Sequence, residues 1–156
     1  MVDLLHPTSD LVAMAWLQSI PQVLPNQVGT TLPAPPWPNN AFIVVCKAIG
    51  GSPDPYIQIA QPVLEIEYYA VRPQSNKPHW GKANQLFEIV RHATYDRVNM
   101  GRALNIIAQG QEYNGANCLW VSALTEPRKT FNDTGSYACF SSDVQFKWRE
   151  VNVVYP

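Results

Sequence analysis

The hydrophobic and polar positions of the chain predict a central hairpin of two strands. The runs 41–49 and 56–71 are rich in β-branched and aromatic side chains, and the tip between them, 50–56, carries a dense Gly, Pro, Asp and Ser turn signal. Both faces of the first run are apolar, which is typical of a strand covered on both sides. The second run is longer than a usual strand, so we expect either a bent strand or a tip that extends beyond the core. Pro62 cannot donate a ladder hydrogen bond, which predicts a bulge or a sheet edge at that position.

Two more strands are predicted in the second half of the chain. Residues 118–125 alternate between two sets of side chains, as expected of a strand. Residues 136–151 place Val144, Phe146 and Trp148 on one face and polar side chains on the other. This is the pattern of a half-buried antiparallel strand. The polar segment 126–135 between the two strands predicts a loop.

Two helices are predicted from apolar positions at helical spacing. The first covers about 9–19 and must stop before Pro21, because the residue that precedes a proline is disfavoured in the α region. The second begins near Pro78 or Trp80, since proline is well tolerated in a first turn. Its apolar stripe consists of Ala83, Leu86, Phe87 and Val90. A weaker stripe over 100–108 indicates either a third helix or a loop and a strand.

Residues 20–40 are rich in proline, which forbids a helix and a central strand. The segment 32–38 is typical of extended polyproline conformation and carries one large aromatic side chain, Trp37. Two interpretations are open. The arm lies across its own domain with Trp37 capping the core, or it docks on a neighbouring subunit.

These elements predict an α+β fold. The chain of 156 residues suits a single domain, 1–156. We expect a mostly antiparallel sheet of about four strands, with the helices packed on one face and the proline-rich segment 20–40 as an extended arm.

The amino-acid composition limits the kinds of binding partner that we expect. The formal net charge is −1, so the chain lacks the basic excess that a free nucleic-acid binder normally shows. Charged residues make up 15% of the chain, against about 25% in an average domain, and Trp and Tyr are numerous. Such surfaces favour protein contact. No apolar run is long enough to cross a membrane, and the start of the chain does not have the pattern of a secretory signal.

The cysteines and carboxylates do not follow the spacing of a catalytic or metal-binding site. The three cysteines lie in strand-like runs and are odd in number, which predicts buried free thiols in a reducing compartment. Their spacing does not match a zinc site. Glu65 and Glu67 share one face of the second strand, but the spacing ties no histidine or nucleophile to them. We interpret this pair as solvated or interfacial rather than catalytic.

The known catalytic patterns are also missing from the sequence. The chain has no phosphate-binding Gly-rich loop and no Gly-x-Ser-x-Gly element. His6, His79 and His92 fall in a terminus, a loop and a helix end, at spacings that do not form a ligand set. We therefore expect no enzyme and no cofactor. A small α+β enzyme or ligand-binding domain, with a pocket between helix and sheet, is the alternative from a different class.

The order of elements resembles that of the tail terminator (tail-completion) proteins of long-tailed bacteriophages. The resemblance covers nearly all of the chain and is one of arrangement rather than of a residue motif. Its carriers are the helix Leu11–Leu17, the Val-Val strand and Gly-Gly turn Phe42–Gly51, the strand Val-Leu-Glu-Ile-Glu-Tyr-Tyr, the helix with Ala83 and Leu86, the Pro-Arg loop Val121–Arg128 and the final Val-x-Phe-x-Trp-Arg strand.

The resemblance implies a structural role in the virion, in the tail and neck, after assembly in the host cytoplasm. Such proteins form a ring, usually a hexamer, that ends polymerisation of the tail-tube protein and joins the tail to a neck or head-closure protein. DNA passes through the lumen without sequence recognition. On this basis we expect Trp37, Tyr56 and Phe131 at subunit or ring interfaces. The loop cations expected to face the lumen are Arg72, Lys77, Arg128 and Lys129. Another neck, head-closure or minor tail ring protein is the nearest alternative.

Overall fold

A computed structural model describes residues 5–52, 56, 58–73, 77–96, 101–130 and 137–151, without the side chain of Lys47. The fold is α+β, with two α-helices and a large curled sheet. The helices are α1 (Ser9–Gln18) and α2 (Trp80–Tyr95). The strands are β1 (Val28–Gly29), β2 (Ala41–Gly50), β3 (Val63–Ala70), β4 (Arg102–Leu104), β5 (Ile107–Ala108), β6 (Gln111–Glu112), β7 (Ala116–Ala123), β8 (Arg128–Thr130) and β9 (Ala138–Glu150).

The main sheet has the strand order β1-β2-β3-β9-β7-β4, with β8 also paired to β9. The pair β1–β2 is parallel and the other pairs are antiparallel. Strand β9 has 13 residues, enough to pair with β3 along one edge and with both β7 and β8 along the other. The hairpin β5–β6 forms a separate two-stranded sheet.

Both helices pack on the same face of the sheet, which we call the inner face. Trp16 of α1 meets Phe146 of β9, and Phe87 of α2 meets Tyr68 of β3, each pair edge to face with ring centroids 5.7 Å apart. Strict alternation of buried and half-buried residues along β3 explains why one face becomes the core. The opposite face, here called the outer face, receives the intervening side chains.

The proline-rich segment covers one end of the outer face. Trp37 lies edge to face against Tyr69 and Tyr137, with ring centroids 6.1 and 5.6 Å away, and its indole nitrogen donates to the carbonyl of Pro33 at 2.8 Å. Trp37, Phe42, Val44 and Val71 form the second apolar cluster of the described chain. The segment 20–40 is not one continuous extended arm, because it contains β1 and the 3₁₀ turns Pro25–Gln27 and Pro38–Asn40.

The sheet is larger than the about four strands expected from the sequence. β2, β3, β7 and β9 correspond to the four predicted strands, and β1, β4 and β8 enlarge the sheet. β8 lies inside the segment 126–135, which was expected to be a loop. Residues 100–108 contain strands rather than a third helix where they are described, because Leu104 pairs with Ala116 across the sheet. Tertiary pairing outweighs the weak helical stripe.

The pairing of the central hairpin is irregular near Pro62, where the sequence predicts a bulge or a sheet edge. β3 begins at Val63, directly after Pro62, and the carbonyl of Pro62 accepts from the amide of Phe146 at 3.0 Å. Ala60 forms a further bridge with Trp148. The backbone pairing with β9 therefore continues on both sides of Pro62, whereas the register between β2 and β3 shifts after Val45.

Gly51 is required at the end of this hairpin strand, and replacing it should destabilise the fold. Its φ is +95°, and a Cβ there would lie 2.0 Å from the carbonyl oxygen of Gln61. We expect Gly51→Ala to lower the free energy of unfolding by about 2 kcal/mol or more, measured by urea denaturation.

Gly50→Ala is the matched control, because a Cβ at Gly50 meets nothing within 4 Å. We expect its free energy of unfolding to stay within about 0.5 kcal/mol of the parent. Equal stability of the two variants would contradict the close approach of Gly51 to the chain around Gln61.

Candidate functional site

The outer face is the polar surface of the sheet that the helices leave uncovered. Register places Glu65 beside Asp143 and Val63 beside Gln145 on this face. Further along β9, Lys147 pairs with Trp120 of β7, again with both side chains on the outer face. Most of these residues are half-buried, whereas their neighbours along the strands are buried in the core. The outer face is therefore an ordered, mixed-charge surface of sheet.

A cluster of one thiol and two carboxylates lies at the middle of this face. Cys46 donates from Sγ to Oε1 of Glu67 at 3.5 Å, and the hydroxyl of Tyr69 donates to the other oxygen of Glu67. The ligand atoms of Cys46, Glu65 and Glu67 lie within 4.8 Å of one another. Burial, followed by the negative charge of Glu67, raises the pKa of the Cys46 thiol to about 12.

This environment keeps the Cys46 thiol in its neutral form at neutral pH. A thiol with its pKa near 12 is a poor nucleophile, since the thiolate is the reactive form. Cys46, Glu65 and Glu67 are the described residues whose atoms converge as metal ligands would. A metal ion would have to displace the proton that Cys46 shares with Glu67. The arrangement thus favours a structural cluster over a reaction centre.

Arg128 joins the same face through an ion pair. Its guanidinium donates to both carboxylate oxygens of Asp143, at 3.0 and 3.2 Å, and the amide of Asp143 donates to Oγ1 of Thr125 at 2.9 Å. The hydrogen bond to Asp143 is the main cause that raises the pKa of Arg128. One of the four cations expected in a lumen is therefore already paired within its own chain.

The other three predicted cations lie elsewhere. Lys129, the neighbour of Arg128 on β8, projects to the inner face, where its Nζ lies 5.1 Å from the ring centroid of Trp80. Arg72 and Lys77 are exposed and close a short loop, in which the Arg72 amide donates to the Lys77 carbonyl at 2.8 Å. The structure does not gather the four cations on one surface, because adjacent residues of β8 face opposite ways.

The predicted interface residues have contrasting surroundings. Tyr56 has 94% of its surface exposed, whereas Trp37 has 4% exposed and packs within its own chain. Of the two interpretations of the proline-rich segment, the contacts of Trp37 match the arm that covers its own domain. Phe131 lies outside the described residues. The interface roles of all three stay predictions.

Sequence reasoning missed a group of exposed apolar side chains. Ile49 at the end of β2 is 56% exposed, and Leu119, Trp120 and Leu124 in and beyond β7 are 40%, 41% and 49% exposed. The register of β7 against β9 shifts between Cys118 and Trp120, which places two successive residues at the surface. Alternation along the sequence carries no signal for such a bulge, so it assigned Leu119 and Trp120 to opposite faces.

The histidines and Glu65 do not form a shared site. His79 caps α2, since its Nδ1 accepts from the amide of Lys82 at 3.3 Å. His92 lines a cleft of about 350 Å³ with Asp96 and Arg102 on the helix side of the sheet. Glu65 lies on the outer face. The pocket that would have favoured the enzyme alternative, a histidine beside Glu65, is not formed by these residues.

Comparison with known proteins adds no functional assignment. No family model and no curated protein matches the chain. One solved structure is similar over 96% of this chain and 98% of its own, with 14% identity and a TM-score of 0.39, and its name carries no functional description. A similarity at this TM-score supports no argument. Within the described residues, no helix is both long and apolar enough to span a membrane.

Burial of Trp37 in its own chain has a direct consequence for stability. We expect Trp37→Ala to lower the free energy of unfolding by about 3 kcal/mol, because it removes a buried aromatic side chain. Tyr56→Ala is the control, and exposure of Tyr56 should keep its effect within about 0.5 kcal/mol. The measurement is urea denaturation. A small effect of Trp37→Ala would show that the cluster around Trp37 is not part of the stable fold.

The Cys46–Glu67 contact predicts how the thiol reacts. We expect Cys46 in the folded protein to be alkylated slowly by iodoacetamide at pH 8.5, because its raised pKa leaves little thiolate. Glu67→Gln removes the negative charge that favours the neutral thiol but keeps an oxygen that can accept its hydrogen bond, so the rate should rise roughly tenfold.

Glu65→Gln is the matched control, since Glu65 is a weaker cause of the shift. Mass spectrometry of the Cys46 peptide separates this thiol from Cys118 and Cys139, whose pKa values burial raises to about 11. Equal rates for the two glutamate variants would contradict the assigned role of Glu67.

Proposed function

We propose that this chain is a structural protein that assembles into a ring at the head-proximal end of a phage tail. In this role the ring ends polymerisation of the tail-tube protein and joins the tail to the neck. The proposal combines the resemblance in element order with the surfaces of the fold. Its main support is the presence of exposed apolar side chains in two separate parts of the sheet, here called the hairpin patch and the β7 patch.

The hairpin patch consists of Ile49 and Tyr56, which are 56% and 94% exposed at the end of the β2–β3 hairpin. The β7 patch consists of Leu119, Trp120 and Leu124. Strands β3 and β9 lie between β2 and β7, so the two patches are separated by two strands in the order of the sheet. A closed ring requires two unlike surfaces that meet head to tail. The two patches meet that requirement.

The state of the reactive side chains is compatible with a structural role. The thiol of Cys46 is neutral at physiological pH, and His79 caps a helix. Among the cations predicted to face a lumen, Arg72 and Lys77 are exposed. In the proposed ring these two side chains contact the phosphates of DNA, where weak and sequence-independent contacts would allow the duplex to slide. Arg128 contributes less, because Asp143 offsets its charge.

The hairpin patch gives the test of this function. We expect the purified parent protein to sediment as a closed oligomer, alone or with tail-tube protein, and Ile49→Ser/Tyr56→Ser to abolish the ring and leave species of no more than two chains. The free energy of unfolding should change by no more than about 0.5 kcal/mol, because both residues are exposed. Sedimentation velocity reports the assembly and urea denaturation reports the stability.

Tyr95→Ser is the matched control, because Tyr95 is 61% exposed at the end of α2 and lies outside both patches. It should assemble like the parent protein. A parent protein that stays monomeric at high concentration, both alone and with tail-tube protein, would rule out the ring. Binding to a head-closure protein but not to tail-tube protein would instead indicate another neck ring protein.

A further inference from the structure

Three charged side chains on the outer face form no ion pair and no side-chain hydrogen bond in the described chain, namely Glu65, Lys147 and Arg149. Asp143, directly beside Glu65, is paired with Arg128, and the charge of Glu65 is a smaller cause of the raised pKa of Arg128. Two acids and one cation therefore leave an excess of negative charge at the Glu65 end of the face, whereas Lys147 and Arg149 carry positive charge further along β9.

These charges are too far apart to pair within one chain. Glu65 is level with Asp143, and Lys147 is four residues further along β9. At about 3.3 Å per residue the separation is roughly 13 Å, beyond the Debye length of about 8 Å at physiological salt. Acid and cation are thus held at two ends of one surface, with Gln145 and Val63 level with each other between them.

We propose that the outer face binds the outer face of a second copy of this chain about a two-fold axis that runs across the strands near Gln145. The rotation exchanges the positions of Glu65 and Lys147. Each Glu65 then faces Lys147 of the other copy, and the pairing occurs twice. A surface with an acid at one end and a cation at the other is complementary to itself in this arrangement.

The neighbouring surface supports such packing. Trp120 is level with Lys147 and is 41% exposed, so an aromatic side chain of the kind enriched at interfaces lies beside the charged pair. The other end of the face is already covered by the segment around Trp37. The second copy would therefore occupy the half that contains Glu65, Gln145 and Lys147, where sheet packs on sheet, face to face.

This contact does not rest on the proposed function, because its charge pairs use Glu65 and Lys147 and not the hairpin patch. Trp120 belongs to the β7 patch and also lies beside Lys147, so the two contacts share that one side chain. The test is therefore made in the full chain carrying Ile49→Ser/Tyr56→Ser, in which the ring interface is removed.

The experiment uses charge reversal and mixing. In sedimentation equilibrium at about 50 mM salt, where screening is weak, we expect the background variant to form a dimer. Adding Glu65→Lys or Lys147→Glu should weaken the dimer by roughly tenfold or more, because two like-charge contacts replace two attractive ones. An equimolar mixture of the two variants should restore a heterodimer, since each then offers what the other requires. The mixed species should stop at two chains.

Glu112→Lys is the control, because Glu112 is an exposed acid on the separate β5–β6 hairpin and should leave the dimer unchanged. Circular dichroism and thermal unfolding check each fold, and Glu65→Gln and Lys147→Gln replace any reversal that unfolds, with a smaller weakening expected. A monomeric background variant, reversal variants that dimerise normally, or a mixture that stays monomeric would each overturn the proposal. Rings in the parent protein without this dimer would leave the proposed function intact.

Discussion

Pairing of β9 along both of its edges is the interaction on which the rest of the structure depends. Its 13 residues bind β3 on one side and β7 and β8 on the other, so the two halves of the chain become one sheet. Its inward side chains, among them Phe146 and Phe140, meet Trp16 of α1 and Trp80 of α2. Its outward side chains form the polar middle of the outer face. Core and surface are set by the alternation of this single strand.

The same alternation determines the electrostatics of the outer face. Arg128 and Asp143 meet because β8 pairs with the start of β9, and Cys46 meets Glu67 because β2 pairs with β3. Where the sheet provides a partner, Arg128 is held in an ion pair and the Cys46 thiol stays neutral and hydrogen-bonded. Lys147 has no such ion pair among the described residues. This charge is the basis of the proposed contact with a second copy of the chain.

Local patterns predicted the elements well, and contacts between distant residues explain what they missed. Alternation identifies β9 and the strands of the hairpin, because this pattern depends on neighbours in sequence. Trp37 covers one end of the outer face because it packs against Tyr69 and Tyr137, which are far from it in the sequence. The exposure of Trp120 depends on a register shift against β9. No sequence period reports either arrangement. The β7 patch is therefore visible only in the fold, whereas the sequence already named Tyr56 of the hairpin patch as an interface residue.

Assembly into a closed ring is the proposal that gives a role to both the hairpin patch and the β7 patch. Electron microscopy of the purified full-length protein tests it most directly. The account predicts closed rings of uniform subunit number with a central opening wide enough for duplex DNA. The measurement is made at high protein concentration and with tail-tube protein present. Particles no larger than one or two chains under these conditions would contradict the ring.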